Sequence, residues 1–266
     1  MKRLLILIFL LSTVVAFAEN IRVASLANPN VVVAFVIKDK SYAKIDFIPI
    51  FGDIASMIGL IRAGKVDAVF TNYEAAQKVR KDFGWHYSGS SISKAVYIIT
   101  NRAIKQKNDL EDFKVVGSFR GGSPDILFRK LQLKKEPIFT DLNIAVQLFL
   151  KGEYDAIFLP EPHISNLILK LKELNKNYYI YDILSLYDKP YKYPINALLS
   201  KDENIHNILL DATKKAVSFI NSHPEEAIKI FNANFKTYFN MQFPTNAIEE
   251  AIRSKRLQFE YFEFKE

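Results

Sequence analysis

The sequence predicts an α/β protein built from two similar lobes, and three observations carry this prediction. The chain has 266 residues, which is enough for one large domain or two modest ones. Short apolar runs alternate with segments of helical period, a pattern typical of parallel sheets with crossover helices. A helix–turn–strand pattern also occurs twice, at residues 60–70 and again at 148–158.

Runs of β-branched and aromatic residues predict the strands. Each run has the length of a buried strand and is followed by polar or turn-forming residues. The runs lie at residues 21–26, 45–50, 66–71, 96–100, 114–118, 137–140, 154–160 and 178–183.

Helical spacing of apolar residues predicts the segments between and after these strands. Pro224 stands near the start of one of them, where proline is favoured. Lys172 belongs to a lysine run that we expect on a solvated helix face. The segments are 29–38, which is the weakest, then 54–63, 124–133, 143–150 and 164–174 between strands, and 204–221, 224–231 and 245–253 in the last part of the chain.

The repeated pattern reads LIRAGKVDAVF in the first copy and LFLKGEYDAIF in the second. In both copies a helix ends at a glycine, Gly64 or Gly152, which can adopt the left-handed conformation that terminates helices. An Asp-Ala pair then opens an apolar strand. We predict that Asp67 and Asp155 form hydrogen bonds with backbone groups at the strand entry and do not contact ligand.

Composition excludes several classes of protein. With 49% hydrophobic and 24% charged residues, the chain has the composition of a folded soluble protein and not of a disordered or collagen-like one. It has no cysteine, which excludes disulfide scaffolds, Cys-ligated metals, thiol catalysis and a lipid-bearing cysteine. The formal net charge of +7 suits an acidic ligand or surface but is low for a nucleic-acid binder.

The first 18 residues have the pattern of a secretory signal. Lys2 and Arg3 form a positive start, residues 4–15 are mostly apolar, and residues 16–18 read Ala-Phe-Ala, a small-x-small cleavage pattern. We predict cleavage after Ala18 and a periplasmic or otherwise extracytoplasmic protein. The alternative is an uncleaved membrane anchor, for which the run is shorter than the roughly 20 residues that span a bilayer.

In the order and spacing of its motifs the chain resembles the substrate-binding proteins of ABC importers. The motifs are GKVDAVF, GSFRGGSPDILFRKLQ, GEYDAIFLPEPH and HPEEAIKIF. The resemblance covers essentially the whole mature chain and is closest to the group that binds nitrate, taurine, aliphatic sulfonates and thiamine-precursor pyrimidines. It implies the type II periplasmic binding protein fold, in which two crossing strands join two α/β lobes and the ligand lies in the cleft between them.

The resemblance also implies a domain organisation and a set of partners. Residues 19–97 together with 200–266 should form lobe 1 and residues 98–199 lobe 2, with crossing segments at 96–100 and 195–200. The expected partners are a small-molecule ligand and an ABC permease in the membrane. We expect a monomer that uses no cofactor or metal and binds no nucleic acid.

The loop after the strand at 114–118 has the residues for an anion site. Arg120 could clamp a carboxylate, sulfonate or phosphate, and Gly121 and Gly122 let the backbone approach a ligand closely. Ser123 is expected to cap a helix whose start favours a negative group. The alternative is an ordinary capped helix with Arg120 in solvent.

Other strand-to-helix loops should complete the cleft, because ligands of open α/β sheets lie at the carboxyl ends of strands. Each residue in these loops can equally be a turn or cap residue. The candidate contacts are Ser25, Asn28, Gly52, Asp53, Thr71, Asn72 and Tyr73 in the first lobe and Ser118 and Glu161 in the second.

Tyrosines crowd residues 178–193, where they either stack on a flat ligand or pack into the core.

The sequence contains no metalloprotease, nucleophile-elbow, phosphate-loop or dinucleotide motif. Glu161 and His163 could form an acid–base pair but lack a visible third partner. We therefore predict a binding protein and not an enzyme. Two alternatives stay open, namely an exported ligand-sensing domain and an enzyme of thiamine- or menaquinone-precursor type on the same fold.

Overall fold

A computed structural model describes residues 20–28, 31–51, 53–189, 192–240 and 245–263. The predicted signal segment 1–18, its cleavage site after Ala18 and the candidate Gly52 lie outside these residues.

The first sheet has five strands in the spatial order β2–β1–β3–β11–β4. The first three run parallel, and the last two are antiparallel to their neighbours. The strands are β1 (Ile21–Leu26), β2 (Ile45–Ile50), β3 (Ala68–Asn72), β4 (His86–Tyr87) and β11 (Asn196–Ser200).

The second sheet repeats this arrangement in the order β8–β7–β9–β6–β10. Again three strands run parallel, followed by two antiparallel ones. The strands are β6 (Val96–Thr100), β7 (Val115–Gly117), β8 (Ile138–Phe139), β9 (Ala156–Pro160) and β10 (Tyr179–Asp182). The two α/β lobes therefore share one topology, and the repeated sequence pattern marks equivalent places in it.

Helices cover the sheets, and the first of them is apolar on every side. Residues 31–37 are fully buried, because this helix packs on the first sheet and is itself covered by two long C-terminal helices. A helix without a polar face shows no amphipathic period, so the sequence predicts it only weakly. The helices are α1 (Val31–Asp39), α2 (Ile54–Arg62), α3 (Tyr73–Phe83), α4 (Ser123–Arg129), α5 (Leu142–Leu150), α6 (His163–Glu173), α7 (Glu203–Ser222), α8 (Pro224–Phe239) and α9 (Thr245–Arg253), with 3-10 turns at Lys107–Asp112 and Ile183–Leu186.

Asp67 and Asp155 have matching roles in the two lobes. The Asp67 carboxylate accepts a hydrogen bond from the backbone amide of Arg22 at 2.9 Å, and the Asp155 carboxylate accepts one from the amide of Lys114 at 2.9 Å. Their preceding glycines, Gly64 and Gly152, have φ of 61° and 79°. The predicted structural role of both aspartates and the left-handed turns before them are confirmed.

The chain passes between the sheets twice. It leaves the first sheet after β4, runs through β5 (Ser90–Lys94), which pairs with the last strand β12 (Gln258–Phe262), and enters the second sheet at β6. It returns between β10 and β11. The predicted crossing segments 96–100 and 195–200 therefore lie mostly within the sheets, because their apolar residues pair there, and the passages precede them. The division into 19–97 with 200–266 and 98–199 stays a prediction.

Asn196 joins the two passages. Its side-chain oxygen accepts hydrogen bonds from the amides of Ser91 and Ile92 at 2.9 and 3.1 Å and from the Ser90 hydroxyl at 2.9 Å. Its side-chain nitrogen donates to the Ser91 hydroxyl at 2.8 Å. All of these groups are buried, so one asparagine holds the outgoing and returning segments together.

The C-terminal helices contact both lobes. Helices α7 and α8 pack on α1 of the first lobe, and α9 packs on α6 of the second lobe as well as on α8. Lys172 of α6 lies 3.6 Å from the Glu250 carboxylate of α9. Lys172 itself is exposed, as expected for a solvated helix face, and α9 packs beside it.

Candidate functional site

A hydrogen bond connects the carboxyl edges of the two sheets. Ser123, the first residue of α4 after β7, donates its hydroxyl to the Glu74 carboxylate at 3.1 Å. Glu74 lies in the first turn of α3, directly after β3. Its other carboxylate oxygen accepts a hydrogen bond from the Tyr193 hydroxyl at 2.5 Å, and Tyr193 precedes β11 on the returning passage. These three residues mark where the two lobes and a crossing segment meet.

Aromatic rings surround this point. The rings of Tyr73 and Tyr193 contact each other edge to face with centroids 5.8 Å apart, and Tyr73 makes a similar contact with Tyr87 at 6.2 Å. The Lys130 ammonium lies over the Tyr193 ring at 5.2 Å. The place of Tyr73 at this edge agrees with its candidate role.

Two candidates of the first lobe cap helices. The Asn72 side chain accepts a hydrogen bond from the amide of Ala75 at 2.8 Å and caps α3. Asp53 caps α2 by accepting a hydrogen bond from the amide of Ser56 at 3.1 Å, and hydrogen bonds from Ser56 lower the pKa of Asp53. The side-chain oxygens of Asp53 and Asn72 therefore accept hydrogen bonds from helix amides. Such a role as a cap residue is the alternative to ligand contact that the sequence left open.

The remaining candidates of the first lobe lie at the ends of β1 and β3. Ser25 is fully buried, and its hydroxyl donates to the carbonyl of Leu26 at 3.1 Å. The carbonyl of Asn28 accepts a hydrogen bond from the amide of Val31 at the start of α1. Thr71 is fully buried, and its hydroxyl has no hydrogen-bond partner among the described residues.

The loop predicted to hold an anion is partly occupied by the protein itself. The amide of Gly121 donates to the Asp125 carboxylate at 2.8 Å, and the amide of Gly122 donates to the carbonyl of Phe119 at 3.0 Å. Gly121 has φ of 77°, as its place in a tight turn requires. The amide of Gly122, which we expected to face a ligand together with that of Ser123, therefore has a partner within the loop, as does the amide of Gly121.

Ser123 is not the N-cap of α4. Gly122 has that position, and Ser123 is the first helical residue, so its hydroxyl reaches Glu74 instead of its own helix. Ser118 is buried at the end of β7. Arg120 is exposed, and its guanidinium lies over the ring of Phe139 at 5.2 Å.

Glu161 is a structural residue. Its carboxylate accepts hydrogen bonds from Arg256 Nε at 2.9 Å and from the Ser165 hydroxyl and amide at 3.0 and 3.1 Å. Burial raises the pKa of Glu161, although the hydrogen bonds from Ser165 and Arg256 oppose this effect. Ser165 and Arg256, which follows α9, therefore occupy the Glu161 carboxylate within the fold, and its role in ligand binding stays a prediction.

His163 faces Phe119. The two rings stack with centroids 5.4 Å apart and planes at 24°. Burial lowers the pKa of His163 to about 4, so the ring is neutral near pH 7 and presents an apolar face. The Glu161 carboxylate is bound by Ser165 and Arg256 instead, which leaves no support for an acid–base pair of Glu161 and His163.

The sequence does not distinguish Glu74, Phe119 or the specific role of Tyr193. Glu74 follows directly after the candidates 71–73, but an acidic residue in the first turn of a helix has an ordinary explanation in the helix dipole. Phe119 has φ of 60° and is 42% exposed, which is unusual for a bulky residue and is not visible in the sequence. Their place in the cleft is visible only in the tertiary structure, where the second lobe lies against the first.

No protein-family model and no curated protein sequence matches the chain. Solved structures do match it. An ABC transporter protein from Parabacteroides distasonis has a TM-score of 0.67 at 16% identity, covering 91% of this chain and 86% of that one. The periplasmic aliphatic sulphonate binding protein from Escherichia coli has a TM-score of 0.67 at 17% identity, covering 93% and 87%. A putative nitrate transport protein from Thermoplasma volcanium has a TM-score of 0.55 at 14% identity, covering 93% and 88%.

The fold is that of the substrate-binding proteins of ABC transporters. The resemblance to these proteins and the predicted fold class are confirmed. In this substrate-binding-protein fold, the Ser123–Glu74 contact lies between the two lobes, at the carboxyl ends of β3 and β7. Among the helices that the structure describes, none is both long and apolar enough to cross a bilayer.

Proposed function

We propose that this protein is an extracytoplasmic solute-binding protein that delivers a small molecule, anionic or heteroaromatic, to an ABC importer. The observation that carries the proposal is the hydrogen bond between Ser123 and Glu74, which joins the carboxyl edges of two lobes with the same topology. Carboxyl edges are where α/β sheets bind ligands, and only a ligand between these two edges is contacted from both sides. The fold shared with ABC substrate-binding proteins supports the same role.

The mechanism follows from the two passages between the lobes. Asn196 anchors them to each other, while the cleft edge is joined by the hydroxyls of Ser123 and Tyr193 on Glu74. A ligand that contacts both edges stabilises the closed form by its greater affinity for that form. The closed protein then presents both lobes together to a permease.

We propose that the ligand contacts Arg120 and Ser123 on the second lobe and either Asn72 or Tyr73 on the first. Because the amides of Gly121 and Gly122 have partners in the loop, an anion would depend mainly on the Arg120 guanidinium. A charged hydrogen bond of this kind contributes about 1.5–3 kcal/mol to binding.

The test begins with protein purified from the exported fraction, whose bound molecules are identified by native mass spectrometry. Adding the identified molecule should reduce the radius of gyration in small-angle scattering and raise the melting temperature. If the identified molecule carries an anionic group, Arg120→Ala should weaken its binding by about 1.5–3 kcal/mol, and Arg62→Ala, an exposed arginine on α2, should not. Binding without any change in radius of gyration would contradict closure, and unchanged affinity of Arg120→Ala would exclude the clamp.

A further inference from the structure

Glu74 places a negative charge where the two lobes meet. Its two carboxylate oxygens accept hydrogen bonds from two neutral hydroxyls, those of Ser123 and Tyr193. Within the described part of the chain, no lysine, arginine or histidine forms an ion pair with it, although the Lys130 ammonium lies over the neighbouring Tyr193 ring. Neutral partners leave the charge of Glu74 in place, and a cation or a strong hydrogen-bond donor would bind it more strongly than they do.

A second carboxylate lies in the first turn of α4, next to the facing loop. Asp125 is 4% exposed and accepts the amide of Gly121, and its other oxygen lies 2.7 Å from Arg129 Nε. With the amide of Gly122 bound to the Phe119 carbonyl, the loop offers an incoming anion fewer donors than a helix start usually does. The Arg120 guanidinium lies over Phe139, toward strand β8.

Aromatic rings from both lobes lie near the two edges. Phe119 is 42% exposed and is held in a left-handed conformation with φ of 60°, an arrangement that costs backbone energy for a bulky residue. His163 supports its ring from behind at 5.4 Å, and Tyr73 and Tyr193 lie beside Glu74. An exposed ring in a strained but supported position offers a face on which a flat ligand can stack.

We propose that the cleft binds a flat ring that carries hydrogen-bond donors or a positive charge, and that Glu74 is the residue that recognises them. The donor group of the ligand takes over one of the hydrogen bonds that Ser123 and Tyr193 make in this structure, while the ring stacks on Phe119. This inference rests on the proposed function and narrows its ligand class from anionic or heteroaromatic to heteroaromatic with donors.

Three probes of the same shape test this selectivity. Benzamidine, benzamide and benzoate share one ring and differ in charge and donors, so their binding can be compared by ligand-observed NMR and calorimetry at millimolar concentration. We expect the order benzamidine, benzamide, benzoate from tightest to weakest. Glu74→Gln should weaken benzamidine about 10- to 150-fold, as expected for a charged hydrogen bond, while Glu173→Gln, an exposed glutamate on α6, should leave the order unchanged.

Protein folding is checked separately, because Gln keeps the shape of Glu but has only one acceptor oxygen. It can accept from one of the two hydroxyls and donate its side-chain NH2 to the oxygen of the other. Folded Glu74→Gln with unchanged benzamidine affinity would overturn the proposal. So would a wild-type protein that binds benzoate as well as benzamidine, or that binds none of the three. Each of these results leaves the proposed function intact if the molecule co-purified from the exported fraction still closes the cleft, which separates the two failures.

Discussion

At the scale of single residues, the two aspartates of the repeated turns share a place but not an environment. Asp67 is buried, and its carboxylate accepts three hydrogen bonds from Arg22. It also forms an ion pair with the Lys201 ammonium. Burial alone would raise the pKa of Asp67, but these bonds hold it well below its usual range. Within the described residues, the Asp155 carboxylate accepts hydrogen bonds only from the amide of Lys114 and the side chain of Asn101.

Replacing these aspartates should therefore have unequal effects. We expect Asp67→Ala to lower the free energy of unfolding by about 1.5–3 kcal/mol, because charged hydrogen bonds are lost, and Asp155→Ala by about 0.5–1.5 kcal/mol. Urea unfolding measures both. The Asp67 contribution should be complete above about pH 4 and be lost as pH falls further, since a lowered folded-state pKa stabilises only the ionised form. Equal losses in the two variants, or an affinity loss without a stability loss, would contradict this assignment.

His163 should make stability depend on pH in the acidic range. Burial lowers the pKa of His163 to about 4, whereas the unfolded chain titrates near 6.5. Between these values the unfolded state binds more protons, so the stabilisation is complete above about pH 6.5 and falls as pH decreases toward 4. His163→Phe keeps a ring beside Phe119 but cannot titrate. We expect urea unfolding at about pH 7, 5.5 and 4 to show a smaller decline for this variant, and parallel declines would refute the argument. His206, whose pKa burial also lowers, is present in both proteins.

At the scale of elements, several boundaries differ from the sequence prediction for physical reasons. The strand predicted at 66–71 begins at Ala68 because Asp67 turns to bind Arg22. The helix predicted to end at residue 231 continues to Phe239, since the apolar spacing continues through Phe235 and Phe239, which pack into the core. The short strands β4 and β8 have two residues each. Strand β8 lies within the run predicted at 137–140, whereas no predicted run covers β4.

The side chain of Asn196 joins strands β5 and β11, which lie at the two passages between the lobes. Asn196→Ala removes four buried hydrogen bonds. The amide of Ser91 loses its acceptor, and the amide of Ile92 keeps only a longer hydrogen bond to the Ser90 hydroxyl at 3.3 Å. We expect a loss of about 2–4 kcal/mol in the free energy of unfolding, which is the effect of breaking a buried polar network. Asn207→Ala, at an exposed position of α7, is the control and should change stability by less than about 0.5 kcal/mol. A loss as small as that of the control would show that the network does not anchor the passages.

At the scale of the whole molecule, the hydrogen bonds on Glu74 should restrict the opening of the lobes. The chain has no cysteine, so cysteines introduced at the exposed Lys78 and Lys134, one on each lobe, can carry the only two spin labels. We expect Ser123→Ala in this background to broaden the distance distribution, because Glu74 loses its partner on the second lobe. Ser222→Ala at the end of α7 is the matched control. If both distributions have the same width, the contact between Ser123 and Glu74 does not restrain the lobes.

The sequence by itself determined the α/β class, the pairing of two similar lobes and the turns at Gly64 and Gly152. These properties depend on the local periodicity of apolar residues and on the conformational freedom of glycine. Both are determined by residues that are close together in the sequence. Only the tertiary structure decided which candidates belong to the cleft, because that depends on partners far apart in the chain. It assigned Glu161 to Arg256 and Ser123 to Glu74, pairs separated by 95 and 49 positions. Whether the Ser123 hydroxyl caps its own helix or contacts Glu74 depends on the position of the other lobe. Local sequence patterns carry no information about that position.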